Sequence, residues 1–156
     1  MTYDSSRVPA QRAPGDGCAV ALDLRVAVCP GLTVSVPARL RYRTADPYAV
    51  FLDNHTDLAT PITWVFARDL LATGLHGWSG IGSVSVRPGV DDRLDSVFIT
   101  LTGEGSSVVL RAPADRVRAF LRSTESLVPI GLERGHLDLD GLLRRLCDGG
   151  AASPGA

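Results

Sequence analysis

The strand pattern of this chain is clearest in residues 18–43, which read CAVALDLRVAVCPGLTVSVPARLRYR. Apolar and polar residues alternate here with a period of two, which is typical of strands with one buried face. Pro30 and Gly31 interrupt the alternation, since proline presets φ for a turn and glycine accepts the positive φ that follows. The pattern predicts a β-hairpin, and matching its apolar faces sets Asp23 opposite Arg39.

Downstream of the hairpin, the same signals predict two units of strands, each followed by a helix. The first unit adds strands at residues 48–53 and 62–66 and ends in a short helix at residues 67–75. The second unit has three strands and a longer helix, at residues 83–87, 96–102, 106–111 and 113–127. A short C-terminal helix is predicted over residues 138–148. Its leucines recur at helical spacing and form an apolar stripe, which we expect to pack on a neighbouring surface. The predicted fold class is α+β, with about four plus three strands in two antiparallel β units.

The ends of the chain differ in composition from its middle. Residues 1–17 and 149–156 are small, polar and rich in glycine or proline, so we expect a disordered leader and a disordered tail around one domain, residues 18–148. The leader lacks the apolar core of a signal peptide, and no apolar run reaches the roughly 18 residues of a membrane span. These features favour a cytoplasmic protein that meets a membrane only through a partner.

The charged residues exclude several classes of function. Sixteen basic residues face seventeen acidic ones, so the net charge of -1 does not predict a protein that coats polyanions. Every basic residue is arginine, and without lysine neither Schiff-base chemistry nor a phosphate-binding P-loop is available. Cys18, Cys29 and Cys147 are too widely spaced for a disulfide framework or a zinc site. The interpretation is a reduced intracellular protein.

The sequence predicts no catalytic, cofactor-binding or metal site. His55, His76 and His136 are scattered through loops, with no pair at ligand spacing. The segment GWSG at residues 77–80 approaches a nucleophile elbow but follows a helix instead of a strand. The acidic residues at positions 91, 92 and 95 are interpreted as a solvated hairpin loop.

One sheet face raises a nucleic-acid hypothesis, because arginines beside an exposed aromatic ring can follow phosphates and stack bases. Asp23 and Asp53 on the same strands support the alternative of paired charges on a solvated face. The residues of this candidate face are Arg25, Arg39, Arg41, Arg43 and Phe51.

Longer motifs carry a resemblance to a known family. The runs are RYRTADPYAV at residues 41–50 and WVFARDLLATGL at 64–75, followed by AFLRSTESLVPIGLE at 119–133 and LDLD at 137–140. In order and spacing they resemble the SsgA-like sporulation and cell-division proteins of filamentous actinomycetes, over about residues 18–147. The resemblance implies a Whirly-like fold of curved antiparallel sheets, assembled as a homotrimer.

The resemblance also implies a function without catalysis or cofactor. Members of the family act at the division septum as adaptors for the tubulin-like protein FtsZ or for one another, so the expected partners are polypeptides and not small molecules. We expect the adaptor to bind through the short helix, the glycine-rich loop and the segment after the long helix, although each residue has an alternative structural role. The candidate contacts are Arg68, Asp69, Trp78, Pro129, Ile130 and Gly131.

Overall fold

A computed structural model describes residues 16–137 and 139–148, apart from the side chains of Leu142 and Asp148. The predicted tail and all but two residues of the predicted leader lie outside this range. Gly17 belongs to the folded body, because it pairs with Arg43 at the start of the first strand. Position 138, the predicted start of the C-terminal helix, is also outside the described residues.

Seven strands and three α-helices make up the described chain. The strands are β1 (Gly17–Cys29), β2 (Leu32–Arg43), β3 (Ala49–Asn54), β4 (Ile62–Ala67), β5 (Val84–Asp91), β6 (Leu94–Gly103) and β7 (Ser106–Pro113). The helices are α1 (Arg68–Gly74), α2 (Ala114–Leu127) and α3 (Leu139–Asp148), with a 3-10 turn at Glu133–His136. The predicted α+β class is therefore confirmed, with four strands before α1 and three before α2.

The two strand units join into one antiparallel sheet of order β4-β3-β2-β1-β7-β6-β5. The junction is the pairing of β1 with β7, through Arg25 opposite Arg111 and Val26 opposite Leu110. Both predicted strand units are present, and β1 of the first unit pairs with β7 of the second. The open edges of the sheet are β4 and β5.

The predicted register of the first hairpin is wrong by two residues. Asp23 lies opposite Pro37, and Arg39 lies opposite Ala21. The turn is tighter than the apolar pattern suggested, because Cys29 pairs directly with Leu32 beyond an irregularity in β1. A shift of two residues leaves every side chain on the same face, so matching apolar faces cannot distinguish the two registers.

β5 extends further than residues 83–87 and places an acidic residue on the sheet. It runs through Pro88 and Gly89 to Asp91, beyond the predicted end at residue 87. An edge strand tolerates proline, since the missing N–H need not pair. Asp91 on β5 and Asp95 on β6 therefore lie on strands instead of in the predicted solvated loop, and only Asp92 and Arg93 form the turn.

α1 and α2 cover one face of the sheet, which we call the helix face. β1 and β2 point Leu24, Leu40 and Tyr42 into it, each at most 1% exposed. α2 packs there against β1, β6 and β7 through Val117 and Phe120, both fully buried. α1 connects β4 with β5 at the two sheet edges and contacts both strands. The opposite surface, the open face, carries the predicted arginines.

Candidate functional site

Arg68 begins α1 and points into the protein. Its side chain is 3% exposed, and the guanidinium lies 5.1 Å above the centre of the Tyr42 ring. One terminal nitrogen donates to the carbonyl oxygen of Val128 at 2.7 Å, and the other donates to Glu133 Oε1 at 2.7 Å. A buried arginine needs such partners to offset the loss of its hydration. We call this group of four residues the Arg68 clasp.

Glu133 extends the clasp to the segment after α2. Its second carboxylate oxygen accepts a hydrogen bond from the Gly131 N–H at 2.8 Å. Hydrogen bonds from its own backbone N–H, from Arg68 and from Gly131 hold the pKa of Glu133 below its usual value. Gly131 has φ of +91°, which a residue with a side chain adopts only at a cost. The clasp thereby fixes the shape of residues 129–132, which we call the 129–132 loop.

The outer side of the clasp is a small depression between α1 and the 129–132 loop. Its volume is about 70 Å³, and Tyr48, Asp69, Ala72 and Ile130 are among its lining residues. Cofactor sites usually enclose several hundred Å³, so this depression is far too small for one. It can instead receive a single side chain of another protein.

The rim of the depression is apolar and exposed. Tyr48 and Ile130, which line the depression, are 47% and 58% exposed. Leu132, two residues further along the 129–132 loop, is 61% exposed. The Arg68 N–H donates to the Tyr48 carbonyl oxygen at 2.7 Å, which holds that residue beside α1. Exposed apolar side chains held together on a rigid base are typical of protein-binding surfaces. We call Tyr48, Asp69, Ile130 and Leu132 the clasp surface.

The structure separates the predicted contact residues into four exposed residues near the clasp surface, the buried Arg68, and Trp78, which lies elsewhere. Asp69, Pro129, Ile130 and Gly131 are exposed at or beside the clasp surface. Arg68 is buried, so its guanidinium faces the protein interior and shapes the loop rather than facing solvent. Tyr48 and Leu132 also belong to this surface, and sequence reasoning missed them because an apolar residue in a loop gives no sign of its exposure.

Trp78 occupies a different place. It is 65% exposed, on the loop after α1, and is not among the residues that line the depression. Its indole N–H donates to the Gly80 carbonyl oxygen at 3.0 Å, and the neighbouring Ser79 bridges to Val86 on the edge strand β5. The ring is therefore held outward at the edge of the sheet.

The candidate nucleic-acid face is occupied by ion pairs. Arg41 binds both carboxylate oxygens of Asp53, at 2.6 and 3.0 Å, and Arg39 binds the same carboxylate at 3.0 Å. Arg25 lies 3.4 Å from Asp91. Asp53 is the partner foreseen for this face, whereas Asp23 makes no ion pair within the described residues. The pairing favours the interpretation of paired charges over a free track for phosphates.

Asp53 makes the fold sensitive to acid. Its carboxylate is 3% exposed and accepts hydrogen bonds from Arg41, Thr63 and Arg39, which lower its pKa well below the usual value. A lowered folded pKa contributes stability that is complete above the unfolded value of about 4 and is lost as the pH falls below it. We expect the melting temperature of the natural chain to fall more steeply between about pH 5 and 2 than that of Asp53→Asn.

Circular dichroism melts over this pH range measure the difference. Asp23→Asn is the matched control, since Asp23 is exposed on β1, two strands from Asp53 in the same sheet, and it should keep the steep acid dependence of the natural chain. Parallel acid profiles for the natural chain and Asp53→Asn would contradict the assignment.

The described residues lack two further features. No group of three His, Cys, Asp or Glu side chains among them is arranged to hold a metal ion. None of the helices in the described ranges has the length and apolarity needed to cross a membrane.

Comparison with known proteins identifies relatives over most of the chain. Residues 36–133 match the family model described as Streptomyces sporulation and cell division protein, SsgA. The sporulation-specific cell division protein SsgB of Streptomyces coelicolor is 45% identical over 119 residues, which are 76% of this chain and 87% of that protein. SsgB of Kineococcus radiotolerans is 45% identical over 132 residues, 81% of this chain and 76% of that protein.

Two solved structures share the fold. One, from work on SsgB mutations that correlate with longitudinal cell division during sporulation of Streptomyces coelicolor, has a TM-score of 0.74 at 41% identity and covers 80% of this chain and 98% of its own. The other, an SsgA-like sporulation-specific cell division protein from Thermobifida fusca, has a TM-score of 0.75 at 30% identity and covers 86% and 98%. The resemblance read from the motifs is confirmed.

Proposed function

The chain belongs to the SsgA family of sporulation and cell division proteins, and on that premise we propose that it acts in sporulation-specific cell division. In this proposal it is an adaptor without catalytic activity. It binds FtsZ or another SsgA-like protein at the division septum, and it reaches the membrane only through them. The adaptor unit is a single domain over residues 18–148.

The observation that carries the proposal is how the chain uses its motif residues. Arg68 and Glu133 lie 65 positions apart and meet in a buried ion pair. Neither faces a pocket large enough for a substrate. Their hydrogen bonds hold the 129–132 loop and keep Ile130 and Leu132 exposed on a fixed backbone. A preorganised apolar rim lowers the entropy lost when a partner docks, which suits an adaptor.

The clasp surface supplies the contact in this proposal. Ile130 and Leu132 provide apolar area, the small depression receives one side chain, and Asp69 offers a carboxylate at its edge. Trp78 adds a second contact for a partner broad enough to reach the β5 edge. Aromatic and apolar anchors of this kind carry most of the binding energy at protein interfaces.

We expect the double substitution Ile130→Ser/Leu132→Ser to weaken partner binding about tenfold or more, because it removes the exposed anchors without touching the clasp. A bacterial two-hybrid panel first identifies which of FtsZ and the SsgA-like proteins bind. Biolayer interferometry with that purified partner then measures the affinity.

Leu58→Ser is the matched control, since Leu58 is 54% exposed on the loop between β3 and β4. It should leave partner affinity unchanged. An equal loss in the control, or unaltered binding by the double variant, would exclude the clasp surface as the contact. Failure of the natural chain to bind any protein of the panel would refute the adaptor function itself.

The same proposal includes self-association as a homotrimer. On α3, Leu139, Leu143 and Leu146 are 54%, 58% and 67% exposed, so the described body does not cover this apolar stripe. Burying leucines at about 2 kcal/mol each is enough to draw such a helix onto a second copy. The exposed stripe supports assembly through α3.

Light scattering after size-exclusion chromatography is expected to give three times the 16.5 kDa mass of one chain. Leu143→Ser/Leu146→Ser should reduce the mass to that of one chain, because it makes the stripe polar. Leu94→Ser, at a 66% exposed leucine in β6, should not. A natural chain that elutes at 16.5 kDa across the micromolar range would rule out the trimer.

A further inference from the structure

The open face of the sheet holds an excess of positive charge on a chain whose net charge is -1. Four carboxylates lie among the arginines: Asp23, Asp53 and Asp91 on the strands, and Asp92 in the turn after β5, 3.8 Å from Arg25. Strand register and ring contacts place six arginines there, on β1, β2, β5 and β7: Arg25, Arg39, Arg41, Arg43, Arg87 and Arg111. Six against four leaves an excess of two positive charges.

The arginines form two clusters of similar construction. In the first, the buried carboxylate of Asp53 holds Arg39 and Arg41. In the second, Asp91 lies 3.0 Å from Arg111 and 3.4 Å from Arg25. One carboxylate orients two guanidinium groups in each cluster. The first pair keeps a net positive charge, whereas Asp92, 3.8 Å from Arg25, balances the second pair. Arginines held this way are preorganised to bind further carboxylates through their remaining N–H groups.

Each cluster also contains an arginine without an acidic partner. Within the part of the chain that the structure describes, Arg43 and Arg87 make no ion pair. Arg43 lies 4.8 Å from the centre of the Phe51 ring, and Arg87 lies 4.4 Å from that of Phe98. Cation–π contacts of this length position a guanidinium without neutralising its charge.

The same contacts argue against nucleic acid as the occupant. Arg41 and Arg43 both lie against the Phe51 ring, at 5.1 and 4.8 Å. Arg87 and Arg111 lie against Phe98 in the same way, at 4.4 and 5.6 Å. Base stacking needs an accessible ring face, and these two rings already carry arginines. Polypeptide carboxylates need only the outward N–H groups.

The distance between the clusters sets the length of the ligand. Phe51 is on β3 and Phe98 is on β6, four strand spacings apart in the sheet. At about 4.8 Å per spacing the two rings are roughly 19 Å apart across the strands. Their rows meet β1 at Ala19 and Arg25, about 20 Å apart along the strand, so the rings are separated diagonally by roughly 28 Å, which about eight or nine extended residues can cross. Asp23 lies on β1 between them, exposed and without an ion pair to any residue that the structure describes.

From this arrangement we propose that the open face binds an acidic polypeptide segment, laid across the strands from the Phe51 cluster to the Phe98 cluster. The segment is at least about eight residues long and carries carboxylates near both ends. This face lies on the opposite side of the sheet from the helices, so the proposal does not depend on the clasp surface or on the identity of its partner.

Fluorescence anisotropy with a labelled peptide of about ten glutamates tests the proposal at about 50 mM salt, where screening is weak. Arg43→Gln/Arg87→Gln is expected to weaken binding about tenfold, because it removes the two unneutralised charges and leaves both buried carboxylates paired. Asp23→Asn is expected to strengthen binding about twofold, since it removes a like charge between the clusters. Arg116→Gln/Arg118→Gln removes the same charge from exposed positions on α2 and should have no effect beyond a small change in screening.

Three outcomes would overturn the proposal. The first is no binding of the glutamate peptide by the natural full-length chain at low salt. The second is an equal loss in the two double variants, which would show attraction to net charge alone. The third is tighter binding of a thymidine oligonucleotide than of the glutamate peptide, which would assign the face to nucleic acid.

Discussion

Arg68→Met is expected to lower the free energy of unfolding by about 3 kcal/mol, because it removes one partner of a buried ion pair. Methionine keeps most of the apolar stem above Tyr42 but leaves the Val128 carbonyl oxygen and the Glu133 carboxylate without their donor. Unsatisfied buried acceptors account for most of the loss. Urea denaturation followed by circular dichroism measures the change.

The same substitution separates the role of Arg68 in folding from its role in binding. At a temperature where Arg68→Met remains folded, partner affinity should still fall, since the 129–132 loop has lost its support. Arg68→Lys keeps the positive charge but lacks the planar guanidinium that donates to both acceptors. Its free energy of unfolding should lie between those of the natural chain and Arg68→Met. Arg118→Met, at an exposed position on α2, should leave the midpoint unchanged. A urea unfolding midpoint for Arg68→Met equal to that of the natural chain would show that the clasp contributes nothing to stability.

Gly74→Ala is expected to destabilise the fold by about 3 kcal/mol, because a methyl group at this position overlaps the neighbouring strand. Gly74 ends α1 where the helix meets Val86 of β5, a fully buried residue. A Cβ atom there would overlap the Val86 side chain and lie 3.2 Å from its carbonyl carbon, so no rotamer change makes enough room. Thermal and urea unfolding both measure the loss.

Gly77→Ala is the matched control for that prediction. Gly77 lies three residues further on, and a Cβ atom added there meets nothing within 4 Å. Its midpoint should stay close to that of the natural chain. If both alanine variants unfold alike, the close approach of α1 to β5 does not explain why glycine stands at position 74.

Local periodicity was sufficient to predict most of the elements. Alternation in residues 18–43 identified β1 and β2, and the 3.6-residue spacing of Val117, Phe120 and Leu121 identified α2. Both patterns depend on which face of an element is buried, and that information lies within a few neighbouring residues. The motifs that identified the family are also local, since each is a short run of consecutive residues.

The open face shows where such reasoning reached its limit. The sequence placed Arg39, Arg41 and Phe51 together correctly and named Asp53 as a possible partner. It also paired Arg39 with Asp23, which the register excludes. Period-two patterning records the face of a side chain but not its neighbour on the next strand, because a slip of two residues preserves the face.

The sequence by itself determined the strand and helix content, the face to which most side chains belong, and the family. Tertiary structure alone decided that the two strand units close into one sheet and that Arg68 turns inward to meet Glu133. The physical reason is distance along the chain. Burial patterns repeat within a few residues, whereas an ion pair between positions 65 apart exists only after α1 and the segment following α2 pack on the same sheet.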